Sequence, residues 1–205
     1  MAMKPILFST PMVRALLAGT KTQTRRIVKP QPPASWSKPP VWIDRDGFWH
    51  SGDGSHLGTK SDLRSPFRVG DVLWVREAWR TCPGEYVPGI EFDDGTKVYP
   101  EVDELDLMTR DWKNHAKRRS SIHMPRWACR LFLRVTDVRA QRVQEISEAD
   151  AVAEGMKPRP VEPYDCFDDP REQFAFAWDS LHGPGAWARN DWVWAYTFER
   201  AAKEA

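Results

Sequence analysis

Apolar and polar positions along the chain switch in short runs, and most of those runs carry the period of a strand. "PILFS", Pro5 to Ser9, predicts a first short strand. "TPMVRALLAG" then changes period. Met12, Val13, Leu16 and Leu17 fall on one helical face, Thr10 can cap, and Pro11 suits a first turn, where its missing N–H has no partner to lose. Gly19 supplies the left-handed stop. "TRRIV", Thr24 to Val28, predicts a second strand. "VGDVLWVREAW", Val69 to Trp79, is the clearest strand: after a Gly70-Asp71 turn, Leu73, Val75, Glu77 and Trp79 share one face, and Val72, Trp74, Arg76 and Ala78 the other. "ACRLFLRVTDVRAQRV", Ala128 to Val143, predicts strand, turn and strand. "SEADAVAEG" predicts a short helix capped by Ser147 and stopped by Gly155. "DPREQFAFAWDSLHG" predicts the best helix, with Asp169 as cap, Pro170 in the first turn, Glu172 completing a capping box, and Phe174, Ala177, Trp178 and Leu181 as its buried stripe. "DWVWAYTFER" closes the chain as a strand, alternating Trp192, Trp194, Tyr196 and Phe198 against Val193, Ala195 and Thr197.

Two stretches interrupt this pattern and predict insertions, at about 29–68 and 82–120. "KPQPPASWSKPP" cannot build regular structure because its prolines lack donors. "VWIDRDGFWH" reads as a hairpin turning at Asp46-Gly47, "IEFDDGTKVY" as another hairpin, and "KNHAKRRSS" ends a charged, helical piece. Too little apolar sequence precedes residue 29 to fold alone, so residues 1–205 read as one domain. Strands dominate and do not alternate regularly with helices. The expected fold class is therefore mixed and strand-dominated, a small β barrel with a few short helices and two long Pro/Trp-rich insertions, rather than a doubly wound sheet.

Thirty basic and twenty-nine acidic side chains leave a formal charge of +1, which argues against a long phosphate footprint but allows local basic clusters. Eleven tryptophans belong in a core or around a pocket. Cys82, Cys129 and Cys166 have neither disulfide-framework nor zinc-ribbon spacing, which points to a reducing compartment. The N-terminal segment lacks the apolar core of a signal peptide, and no run reaches the roughly 20 apolar residues of a membrane span. The expectation is a cytoplasmic protein with no membrane partner.

Absent motifs narrow the chemistry. There is no Gly-x-x-x-x-Gly-Lys loop, no Gly-x-Gly-x-x-Gly after a strand and no Gly-x-Ser-x-Gly. His50, His56, His115, His123 and His182 lack metal-ligand spacing, and no cofactor is expected. The segment "AGTKTQTRR" remains. Lys21 and Thr24 are three apart and would share a face in a helical turn. A threonine hydroxyl needs a base to become a nucleophile, and a lysine serves only when uncharged. Burial, or the cations Arg25 and Arg26, would push its pKa down from about 10.4. Glu77, a carboxylate on an otherwise apolar strand face, would be desolvated and could act as a general acid. The same residues also fit plainer roles. A Thr/Lys/Arg-rich turn can be a solvated loop, Glu77 can simply pair with Arg76 or Arg25, and Lys117 to Arg119 can be a solvated patch.

"GTKTQTRR" after a helix, followed by "VGDVLWVRE", resembles the signature of the ASCH domain family of the PUA-like superfamily, with Gly19, Lys21 and Arg26, then Gly70, Asp71 and Glu77, as the matching residues. The C-terminal "FAWDSLHG…WARNDWVWAYTFE" resembles a phage and prophage branch. The small bacterial members similar to this chain are N4-acetylcytidine amidohydrolases. The resemblance implies a PUA-like pseudo-barrel with a cleft beside the first helix, Lys21 as base, Thr24 as nucleophile and Glu77 as proton donor. The substrate would be a small modified nucleoside, its oxyanion held by backbone N–H groups of Gly19 to Thr22 or by Arg25, and its base stacked on Trp74 or Trp79. Two rival readings stand beside it. One is an RNA-binding module, possibly a ribonuclease, whose Arg25, Arg26 and "KRRSS" meet phosphates; the other is a phage assembly protein with a vestigial site.

Overall fold

The computed structural model describes residues 3–32, 42–43, 49–50, 65–82, 89–99, 118–157 and 169–202. In chain order the elements are β1 (Met3–Leu7), α1 (Thr10–Leu17), β2 (Gln23–Ile27), β3 (Trp42–Ile43), β4 (Trp49–His50), β5 (Val72–Arg76), β6 (Trp79–Cys82), β7 (Gly89–Phe92), β8 (Lys97–Val98), β9 (Phe132–Arg142), α2 (Glu148–Ala153), α3 (Pro170–His182) and β10 (Trp192–Ala201). Strands dominate, as the sequence pattern predicts. No helix among the described residues is long and apolar enough to cross a membrane.

The chain divides into two compact units, each assembled from separated segments. One comprises Met1–Leu17, Asp71–Arg134 and Arg200–Ala205; the other comprises Ala18–Gly70 and Val135–Glu199. In the first unit β5 lies between β1, to which it is parallel, and the start of β9, to which it is antiparallel. A separate antiparallel sheet is ordered β6-β7-β8. Val72, Trp74, Trp79, Ile90, Phe92, Met124, Trp127 and Phe132 pack as its core. In the second unit β10 lies between the rest of β9 and β2. There Val143, Ile146, Ala151, Phe174, Trp178, Ala186 and Val193 form the core under α2 and α3. β1 and β2 each have a single hydrogen-bonded neighbour, so no ring of described strands closes into a barrel.

Several expectations hold. Gly19 adopts φ +75° and Gly155 φ +98°, the left-handed stops. Ser147 accepts from the Asp150 N–H at 3.0 Å, and Asp169 from the Arg171 N–H at 2.8 Å. β3 pairs with β4 and β7 with β8, as the two hairpin patterns predict.

Others are corrected. The strand expected over Val69–Trp79 breaks after Arg76, and Trp79 opens β6 in a different sheet; Glu77 therefore sits in the gap and has no strand face. Val72, Leu73, Trp74 and Val75 are all buried, because β5 is central and covered on both faces. The turn expected within Ala128–Val143 is absent: β9 runs unbroken, with no Gly or Pro to end it. Thr10 does not cap α1 with its side chain but donates to Asp93 Oδ2 at 2.6 Å. On α3 Phe174 and Trp178 are buried but Leu181 is 55% exposed. The predicted helical piece before Arg118, most of the first insertion and Cys166 lie outside the described residues.

These burials predict a contrast. Leu133→Ala removes a side chain that is 1% exposed and should cost about 3 kcal/mol, while Leu181→Ala should stay within about 0.5 kcal/mol. Urea denaturation of both variants checks it; a loss at Leu181 as large as at Leu133 contradicts the assignment.

Candidate active site

In the second unit the segment after Gly19 runs extended into β2 and is tied to the end of α2. The Thr22 N–H donates to the Ala153 carbonyl at 2.7 Å, and Phe198 of β10 donates to the Thr22 carbonyl at 2.9 Å. The last carbonyls of a helix lack partners inside it. Here Lys21 supplies one, its Nζ donating to the Glu154 carbonyl at 2.8 Å and to Glu154 Oε2 at 2.6 Å. Lys21 is 2% exposed and Glu154 5%. Arg25 joins the same cluster, giving Nη1 to Glu154 Oε1 at 3.1 Å and Nη2 to Asp150 Oδ2 at 3.0 Å, with its guanidinium over the Phe174 ring.

Burial pushes the Lys21 amine below its usual 10.5; Glu154 opposes that shift, and the charges of Arg26 and Arg25 add to it. The Arg26 guanidinium is likewise lowered, first by burial. The cause foreseen from sequence, desolvation plus neighbouring cations, is present, and an unforeseen carboxylate works against it.

Thr24 is buried and lies within β2, opposite Tyr196 of β10. The helical turn that would bring residues three apart onto one face is therefore replaced by a strand, in which Thr24 and Arg25 point to opposite faces. Arg25 and the Thr22 N–H are engaged by α2 and take no part in holding an oxyanion.

In the first unit Glu77 is 4% exposed, and Arg130 forks it, with Nε to Oε1 at 2.9 Å and Nη2 to Oε2 at 2.7 Å. Arg130 Nη1 continues to Asp94 Oδ2 at 2.8 Å. The partner is thus neither Arg76 nor Arg25. Trp74 and Trp79 are buried in this unit's core, with the Arg76 guanidinium over the first ring and Arg119 over the second. A small cavity bounded by Thr10, Val13, Arg14, Glu77, Ala78, Asp93, Asp94 and Arg130 lies against Glu77. Thr10, Ala78 and Asp93 also line a larger open cleft of about 560 Å³ at the start of α1. The Arg118 guanidinium and the Thr10 hydroxyl hold Asp93 well below the usual carboxylate range, at about 2, against the opposing effect of burial.

The structure thus brings Lys21 and Arg25 together around Glu154, and places Thr24 on the same strand. Glu77 belongs to the other unit. Sequence reasoning missed Glu154, although a signal existed: a carboxylate just before the helix-stopping Gly155 sits at the negative end of the helix dipole, a position that calls for a cation. Asp93 and Arg130 gave no comparable signal, being read as hairpin turn and strand. Among the described residues no cluster of His, Cys, Asp and Glu could hold a metal ion. No protein-family model, no curated protein and no solved structure matches the chain.

Two outcomes test this geometry. Glu154→Ala strands two buried cations and should cost about 3–5 kcal/mol, whereas Asp150→Ala, at a more open carboxylate, should cost clearly less; denaturant titration giving equal losses would refute the hierarchy. The folded pKa of Asp93 lies below its unfolded value, so its contribution to stability is full above about 3.8 and is lost as pH falls through about 2. Asp93→Asn should flatten the acid limb of a thermal-stability profile between those values, and an unchanged limb would deny the pairing.

Proposed function

We propose that the chain is an amidohydrolase that removes an acyl group, such as acetyl, from the exocyclic N4 amine of a modified cytidine or cytosine nucleoside, with the strands belonging to a PUA-like pseudo-barrel. One observation carries the reading: an amine at Lys21, 2% exposed and lowered in pKa by that burial, leads into the strand bearing Thr24. A buried amine with a lowered pKa suits the activation of a threonine hydroxyl, and a surface turn would not supply it. Arg25, on which an RNA-binding reading relies, is committed to Glu154 and Asp150, which favours the enzyme.

In the proposed reaction Lys21 takes the Thr24 hydroxyl proton as Thr24 Oγ1 attacks the acyl carbonyl carbon; for this one of the two side chains has to turn, since Lys21 shares the Glu154 side with Arg25 and Thr24 points to the other face of β2. The tetrahedral intermediate collapses, the C–N bond breaks and the N4 nitrogen leaves with a proton as the free cytosine amine. Water then attacks the acyl ester and releases the carboxylic acid, returning the proton to Thr24. The resemblance gives Glu77 the donation to N4. For that its fork with Arg130 has to open and the carboxylate has to pick up a proton.

Incubation with N4-acetylcytidine, followed by the ultraviolet change to cytidine, tests the reading. Lys21→Ala, Thr24→Ala and Glu77→Gln should each lower kcat/KM about 100-fold or more. Because the base works only uncharged, the wild-type rate should climb with pH to a plateau whose inflection lies below 10.5. Equal rates in all four proteins, or no turnover of any N4-acylcytosine by wild type, would end it.

A further inference from the structure

The open cleft at the start of α1 belongs wholly to the first unit, and the hydrolase chemistry above does not use its walls. Its volume, about 560 Å³, lies within the range of small-molecule sites. Its lining combines apolar Phe8, Pro11 and Ala78 with Arg118, Arg119, Ser120 and Ser121 and a single carboxylate, Asp93. Two guanidiniums against one carboxylate leave the lining positive.

Both arginines are held rather than loose. Arg118 gives Nε to Asp93 Oδ1 at 3.1 Å and Nη2 to Oδ2 at 2.7 Å, yet its side chain is 61% exposed and its Nη1 end takes no part in these bonds. Arg119 exchanges two backbone hydrogen bonds with Trp79, at 2.6 and 3.2 Å, and its guanidinium lies over the Trp79 ring, 5.3 Å from the centroid. A guanidinium fixed by a carboxylate or a ring has already lost most of its rotamer freedom, so an anion arriving between two of them meets little further ordering cost. Planar forks with hydroxyls beside them match the oxygens of a phosphate.

We propose that this cleft binds the phosphate group of a nucleotide through Arg118 and Arg119, with the ligand's sugar or base against Phe8, Pro11 and Ala78. The phosphate is that of a nucleoside monophosphate or a phosphodiester of RNA. The binding claim stands without the hydrolase reading.

Calorimetric titration of the full chain with cytidine 5′-monophosphate and with cytidine tests the claim. The phosphate should raise affinity at least about tenfold, and Arg118→Ala should remove that gain, so that the two ligands bind the variant alike. Arg118→Lys, which keeps the charge but loses the fork, should restore part of it. Equal binding of the two ligands, or a phosphate gain indifferent to Arg118→Ala with the variant folded by circular dichroism, overturns the proposal. A short single-stranded RNA separates the two sources. A salt slope that falls by about 0.7 in Arg118→Ala identifies a backbone phosphodiester, and RNA binding no tighter than the mononucleotide identifies the monophosphate. Turnover separates the two claims. Monophosphate binding with no hydrolysis of any acylated form sinks the hydrolase reading alone.

Discussion

Two cations and two carboxylates, Lys21, Arg25, Glu154 and Asp150, meet around the end of α2, and the second unit is organised about their neutralisation. Removing one such charge from water costs several kcal/mol even after the protein relaxes, so each has to be matched in place. Lys21 and Arg25 converge on the two oxygens of Glu154. The Thr22 N–H and the Lys21 ammonium also satisfy the carbonyls of Ala153 and Glu154, groups a helix end leaves without partners. A slip of β2 by one residue would turn Lys21 and Arg25 to the opposite face and leave Glu154 without its cations. The charge cluster thus fixes a register that the adjoining apolar contacts, such as Phe174 beneath Arg25, could not specify alone.

The first unit meets a related constraint differently. β5 is buried on both faces from Val72 to Val75, and the chain leaves its sheet just after the half-buried Arg76. It does so at Glu77, which is buried but forked by Arg130, and Arg130 in turn reaches Asp94 in the turn between β7 and β8. That turn also presents Asp93 to Thr10 and Arg118. The β7-β8 hairpin, read from sequence as part of an insertion, therefore supplies Asp94 to Arg130, the partner of Glu77, and Asp93 to the lining of the cleft.

What was legible in the sequence was what local physics decides. The α1 pattern, the capped starts of α2 and α3, the left-handed glycines and both hairpins follow from period, capping and turn chemistry within a few residues. What was illegible depended on partners far along the chain. The alternation through Glu77 looked like one strand because nothing local marks where β5 leaves one sheet and β6 enters another. Ala128 to Val143 looked like two strands and a turn because polar residues interrupt the apolar run, yet Phe132 to Arg142 form one long strand. From spacing Lys21 was paired with Thr24, and Arg25 and Arg26 were read only as cations near that lysine. The carboxylate partners of Lys21 and Arg25 lie more than a hundred residues away, and only the misplaced charge at the end of α2 hinted at them.

That partner alters how Lys21 can work as a base. A free ammonium beside two arginines would lose its proton to solvent, but solvent hardly reaches a group that is 2% exposed. Glu154 Oε2, 2.6 Å from Nζ, opposes the downward shift, and burial outweighs it. On the hydrolase reading Lys21 serves as a base only as far as burial and the charges of Arg26 and Arg25 prevail over that one carboxylate. Glu154, a residue that need never touch the substrate, would then govern the strength of the base from behind it.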